Sequence, residues 1–277
     1  MKRRSPRVRR TSWFLLIVTG SFLAVLFASC DKPRKSPTSA VTTPHLPKPT
    51  GDRSPRLAII LDDVGGSDST VNEIFSLPSQ LTLSILPHHA GSSEIAEEAH
   101  RRGYEVMLHL PMESLANESA ESEELRPGMS AQELSRVLDE MLGTVPHAAG
   151  VNNHQGSRAT SDAKLMEELM PLLYRHHLFF IDSRTTAATI AYEVAQQNGV
   201  RSGFRNVPFL DDVPQPNAIR QQLERAIHGA KEKGEAIVIG HPHPETLEVL
   251  RQVLPQLPAQ GIELVHASAL VHVSDSH

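Results

Sequence analysis

The 277-residue chain repeatedly follows an apolar run with groups that can hold a metal ion or move a proton. Seven such ends occur: Asp62-Asp63, Pro87-His88-His89, His109-Leu110-Pro111-Met112-Glu113, the stretch from Asn152 through His154 to Arg158, Asp182-Ser183-Arg184, Arg205-Asn206 with Asp211-Asp212, and His241-Pro242-His243. Carboxylate and imidazole ligands around an open coordination position suit a mononuclear Zn2+-type hydrolytic centre, in which the metal makes water more acidic and polarises a carbonyl. A second carboxylate then takes a proton and a histidine returns one to the leaving group. Adjacent Asp62 and Asp63 suit that division only if one turns to the metal and the other to the water. The single cysteine, Cys30, leaves no internal disulfide and no thiolate zinc ribbon. No GxSxG elbow competes as a nucleophile.

Each group has a plainer reading. Asp62-Asp63 also suits a loop start or helix cap, His109 a satisfied core histidine, Asn152-Asn153 a turn, and Asp182 with Arg184 a structural ion pair. His88-His89 and His176-His177 read as surface or helix-end residues. His243, before Pro244 at a helix start, reads as packing; His241, the first residue beyond its strand, is the better candidate for chemistry.

The apolar runs that carry these groups are Leu57–Leu61, Leu81–Leu86, Glu105–Leu108, Ala149–Asn152, Leu178–Ile181, a weaker Arg205–Leu210, Ala236–Ile239 and Ile262–Val265. Short and rich in aliphatic residues, they read as buried strands. Helix signals separate them: Ser92 and Ser93 before Ile95, Ser130 with Glu133 as a capping box, Ser161 before Leu165, Asn217 before Ile219, and Thr246 before Leu247. Regular alternation of strand and helix predicts a parallel sheet with right-handed crossovers, and seven or eight units over residues 56–277 predict one α/β domain, a closed or nearly closed (β/α) barrel. A doubly wound open sheet is the alternative, but no GxGxxG follows the first strand. In either architecture the site forms beyond the carboxyl ends of the strands, where all seven groups lie.

Taken in order, Ala58-Ile59-Ile60-Leu61-Asp62-Asp63, Val106-Met107-Leu108-His109-Leu110-Pro111-Met112-Glu113, Val151-Asn152-Asn153-His154-Gln155-Gly156-Ser157, Phe179-Phe180-Ile181-Asp182-Ser183-Arg184 and Ile239-Gly240-His241-Pro242-His243 resemble the motifs of the divergent polysaccharide deacetylase family, a branch of the NodB-homology deacetylases. The resemblance covers residues 56 to about 270 and implies a distorted (β/α)7-like barrel that removes acetyl groups from N-acetylated sugars with a divalent metal, Zn2+ above others. It implies Asp62 as base, Asp63 and His109 as metal ligands, and His241 as acid, with Asp182 and Arg184 orienting the site or substrate. Four residues after His109 stands Glu113, where the usual deacetylases carry a second histidine. The third ligand is then His154, with Glu113 as the alternative. The Arg-Pro-rich motif of ordinary deacetylases has no clear counterpart.

Eleven of the 27 Lys and Arg, but only 2 of the 32 Asp and Glu, fall in residues 1–55, which leaves about -14 for residues 56–277. So acidic a body argues against nucleic acid as a partner. The basic cluster from Lys2 to Arg10 precedes the apolar run Trp13–Ala28, as in a secretory signal, and the run is shorter than the ~20 residues of a typical membrane span. Leu26-Phe27-Ala28-Ser29-Cys30 resembles a lipoprotein signal, so residues 1–30 are expected to direct export to the periplasm or envelope and to tether the chain to a membrane through Cys30. Residues 31–55, rich in Pro, Ser and Thr, read as a linker. The leading expectation is an envelope hydrolase of an acetylated glycan. Its rivals are a catalytically silent barrel that binds an envelope glycan or protein, and hydrolysis of another ester or a phosphoester at the same centre.

Overall fold

The computed structural model describes residues 54–65, 68–116, 121 and 123–273. The expected signal, Cys30 and most of the linker lie outside the described residues. Among those described, no helix is long and apolar enough to cross a membrane.

Strand and helix alternate from the start of the body. The strands are β1 (Arg56–Val64), β2 (Thr82–Ile85), β3 (Glu105–Met112), β4 (Ala148–Gln155), β5 (Phe179–Asp182), β6 (Ser202–Phe204), β7 (Glu235–Gly240) and β8 (Glu263–Val265). The helices are α1 (Asp68–Ile74), α2 (Ser92–Arg101), α3 (Ala131–Thr144), α4 (Ala163–Arg175), α5 (Ala191–Gln197), α6 (Pro216–Lys233) and α7 (Pro244–Val253). The strands are parallel in the order β6-β5-β4-β3-β2-β1-β7, with β8 pairing the first residues of β1. This is a distorted parallel barrel whose edge strands β6 and β7 do not pair with each other.

The gap between those edges corrects one expectation. Arg205–Leu210 is not a ladder strand; the strand is Ser202–Phe204, and the weaker run continues irregularly beside β7. The Asn206 and Leu210 backbone N–H groups donate to the carbonyls of Ile237 and Ile239, both at 2.9 Å, and the Asn206 side-chain oxygen accepts the Ile237 N–H. Pro208 has no N–H to offer, so a regular ladder stops there and a side chain replaces part of it.

Two apolar clusters follow from strand alternation. Leu57, Ile59, Leu61, Leu108, Val151, Phe180 and Val238 face the helices and join Leu134, Leu169, Leu223 and Leu250. Ala58, Ile60, Met107, Phe179, Ile181, Ile237 and Ile239 point to the barrel interior, with Ala267, Leu270 and Val271 in the same cluster. At Gly150 any Cβ would collide with the Phe179 ring, so glycine makes room for the largest interior side chain.

Helix starts were legible where the cap is local. Ser130 and Glu133 form the expected capping box, Ser130 accepting the Glu133 N–H and Glu133 accepting the Ser130 N–H. Elsewhere the expected residue has another task. Asp162 rather than Ser161 caps α4, accepting the Leu165 N–H at 2.8 Å. Ser92 donates to the Leu86 carbonyl from inside α2, α6 starts at Pro216, before Asn217, and α7 starts at Pro244, before Thr246.

Replacing Gly150 with Ala is expected to destabilise the fold by about 1–3 kcal/mol through overpacking against Phe179. Gly229→Ala, inside α6 with open space around its Cβ position, should stabilise it by up to ~1 kcal/mol. Urea unfolding of the two variants beside the parent measures both signs.

Candidate metal and proton-transfer site

The interior face of five of the strands continues two residues further into a polar group. Beyond Ile60 comes Asp62, beyond Met107 His109, beyond Gly150 Asn152 and then His154, beyond Ile181 Ser183, and beyond Ile239 His241. Successive side chains on a strand alternate between faces, so one parity sets the apolar filling and the layer above it. Asp63 has the wrong parity. It reaches the site because its backbone is left-handed, with φ 54°, where the register of β1 against β2 shifts between Leu61 and Val64. A non-glycine residue held there costs of order 1–3 kcal/mol, the kind of strain that persists where surrounding structure imposes it.

Asp63 Oδ1 thereby stands 3.1 Å from His109 Nε2 and 3.0 Å from His154 Nδ1, and the two ring nitrogens are 3.1 Å apart. Three ligands each about 2.0–2.1 Å from one ion lie ~3 Å or slightly more apart, so this triangle has the dimensions of a metal's coordination face. Asp63 Oδ1 is also buried with no hydrogen bond satisfying it, which a cation would remedy. A divalent metal therefore fits these residues.

Asn152 holds the surroundings of the triangle. Its Oδ1 accepts from His109 Nδ1 at 2.9 Å and from the Ser84 hydroxyl; its Nδ2 donates to Asp62 Oδ1 at 2.8 Å and to Ser183 Oγ at 3.2 Å. With the proton of His109 on Nδ1, the Nε2 lone pair faces the triangle, as a metal-binding imidazole requires. Burial raises the Asp62 carboxyl above its ordinary range, against the opposing pull of His109 and His241. Burial would raise Asp63 as well, but the adjacent His109 and His154 imidazoles hold it far below the usual carboxylate range.

On the other side of the cleft, His241 Nδ1 meets Asp211 Oδ1 at 2.9 Å, while Asp211 Oδ2 accepts the His241 N–H and the Thr246 hydroxyl. Burial alone would lower His241, but the hydrogen bond to Asp211 and the charge of Asp62 raise it to about 9. Its free Nε2 lies 3.9 Å from Asp63 Oδ2. Asp62, Asp63, His109, His154 and His241 line one cleft of about 390 Å3, with Phe209, Ser114, Asn153 and Thr185 among the other walls.

The sequence from residue 59 to 271 matches the profile of the family described as divergent polysaccharide deacetylase. The chain belongs to that family. It is 42% identical over 217 residues to the uncharacterized protein YibQ of Escherichia coli (strain K12), an alignment covering 78% of this chain and 67% of that one. It is 39% identical over 210 residues to an uncharacterized protein of Haemophilus influenzae, covering 76% and 74%. A crystal structure of an uncharacterized protein from Agrobacterium tumefaciens C58 superposes with a TM-score of 0.73 at 24% identity, over 80% of this chain and 91% of that one, which shows the shared fold.

In this member of the family the expected site residues separate into two groups. Asp62, Asp63, His109, His154 and His241 converge on the cleft. Glu113, the alternative ligand, turns away to Arg158, 3.0 Å distant. Asp182 has the outward parity of Phe180; its oxygens accept the Arg184 N–H and the Thr189 hydroxyl, both at 2.8 Å, and it does not line the cleft. The Arg184 guanidinium lies 3.6 Å over the Phe204 ring rather than against Asp182. His89 and His176 are surface partners of Glu121 and Asp139.

Three residues were not singled out from sequence for what they do. Asn152 is a hub rather than a turn residue, and its parity with His154 was the available signal. Asp211 finds His241 across 30 positions, which no local pattern announces. Arg205 donates to the carbonyls of Ser183, Arg184 and Val207 and stacks 4.0 Å over Phe209, bracing two loops below His241.

His109→Ala and His154→Ala should each abolish the tight equivalent of divalent metal, whereas Glu113→Gln should keep it; equilibrium dialysis with elemental analysis reads this directly. Asn152→Ala, which frees His109 Nδ1, should weaken metal affinity ~10–100-fold, the usual effect of losing an outer hydrogen-bond partner.

Proposed function

We propose that the protein is a metal-dependent hydrolase that removes acetyl groups from an N-acetylated glycan of the cell envelope, held to a membrane through Cys30. The observation that carries this reading is the placement of two differently tuned proton-transfer groups, Asp62 and His241, on either side of the Asp63-His109-His154 triangle in one cleft. Family membership supports the substrate class, and the basic and apolar N-terminus supports export. The acidic body supports a partner other than nucleic acid.

A divalent cation such as Zn2+, held by Asp63, His109 and His154, supplies Lewis acidity that acidifies water and polarises the acetyl carbonyl. Asp62, steadied by Asn152, takes the proton of the attacking water as the new C–O bond forms. His241, its Nδ1 held by Asp211, donates from Nε2 to the amine as the C–N bond breaks, leaving acetate and a free amino sugar. Among the described residues Phe209 is the only carbocyclic aromatic in the lining, so they offer little surface on which sugars could stack. A short glycan segment suits this cleft better than a long polymer track.

Acetate release from N-acetylated oligosaccharides by the metal-loaded full chain tests the reading, with Asp62→Asn expected to cut kcat by ~10²–10⁴ while metal content stays unchanged. A parent that binds metal yet releases no acetate across the panel would move the assignment to the silent barrel. Asp62 must be ionised, so activity should fall as pH drops through its raised pKa. His241 must be protonated, so activity should also fall as pH rises through about 9. Asp211→Asn removes the hydrogen bond that raises His241, and should move the alkaline limb of kcat to lower pH without moving the acid limb as far.

A further inference from the structure

The mechanism above leaves one imidazole of the His241-Pro242-His243 segment unused. His243 was expected to pack; it is exposed at the N-cap position of α7, and its ring makes no side-chain hydrogen bond to the described residues. Its backbone N–H donates to the His241 carbonyl at 2.8 Å, a tight turn about Pro242 that sets the two rings side by side, with centroids 5.8 Å apart. Asp211 completes the group: one ligand atom from each of Asp211, His241 and His243 lies within 4.8 Å of the others.

We propose that Asp211, His241 and His243 form a second, weaker site for a borderline divalent cation such as Zn2+, and that filling it inhibits hydrolysis by taking His241 out of proton transfer. Two imidazoles and one carboxylate are a competent zinc donor set with room for water. The site is weaker than the Asp63-His109-His154 triangle for two reasons. Asp211 already accepts from the His241 ring, the His241 backbone and Thr246, so a cation must compete with these bonds. His243 is exposed and loses side-chain freedom on binding, while His109 and His154 are already held. The two sites adjoin through His241, which lines the cleft with its Nε2 3.9 Å from Asp63 Oδ2. The inhibition rests on the reading of His241 as proton donor; the second site itself does not.

Equilibrium dialysis of the full chain against rising Zn2+ decides the point. The parent should bind two equivalents, the second more weakly. His243→Ala should keep the first and weaken the second by ~10–100-fold or more, since a ligand counts for at least as much as an outer partner. Asp63→Ala should lose the first and keep the second. Acetate release should fall as the second equivalent binds, and in His243→Ala the inhibition should need correspondingly more Zn2+. One equivalent in the parent, a second equivalent indifferent to His243, or a filled second site with undiminished turnover would each overturn the proposal. If the parent shows no turnover at all, the proposed activity fails, and the count of bound metal still decides whether this site exists.

Discussion

The strand-borne groups of the site depend on the two-residue alternation of the barrel strands, together with its break at Asp63. The interior face stays apolar through Ile60, Met107, Ile181 and Ile239, then becomes polar at the next position of the same parity. A layer of functional groups is thereby held on the packed floor of the core, with the rigidity of strands rather than loops. The break at Asp63 rotates one additional carboxylate inward, so that neighbours in sequence face the same cleft with different partners. Without that left-handed residue Asp63 would point toward the helices and the triangle would lack its anionic corner.

Buried carboxylates elsewhere in the barrel show what makes Asp63 different. At the opposite end, Glu105 accepts from the Thr82 hydroxyl and the Ser268 N–H, tying β2 and β3 to the chain after β8. Asp182 accepts the Arg184 N–H and the Thr189 hydroxyl and shapes the loop after β5. Those groups are satisfied by the protein, and their role is structural. An unsatisfied buried polar atom costs about 1–3 kcal/mol, and Asp63 Oδ1 lies beside two imidazole nitrogens, a setting that a cation fits.

Asn152 joins the two halves of the chemistry. A single amide has one acceptor end and one donor end, and here the acceptor faces His109 and Ser84 while the donor faces Asp62 and Ser183. The same side chain therefore sets the tautomer of His109, the proposed metal ligand, and the orientation of Asp62, the proposed base. Asp211 does the equivalent work for His241, and Arg205 with Phe209 supports that imidazole from below. The proton-transfer groups are each oriented by a partner from another strand or loop, which explains why a site assembled from five strands has so few exposed degrees of freedom.

The alternation of short aliphatic runs with capped amphipathic stretches was enough, by itself, to determine a parallel α/β architecture, because burial on both faces leaves a pattern that can be read residue by residue; the choice of a distorted barrel over a doubly wound sheet was decided by the tertiary structure. The polar ends of those runs, with Asp62, Asp63, His109, His154 and His241 among them, were legible for the same reason. Tertiary structure decided which of these groups meet. It turned Glu113 to Arg158 and Asp182 outward, and it replaced the expected strand Arg205–Leu210 with an irregular seam. It also paired Asp211 with His241 and centred the network on Asn152. Those outcomes depend on one left-handed backbone at Asp63 and on contacts across 30 to 90 positions, neither of which leaves a local pattern in the chain.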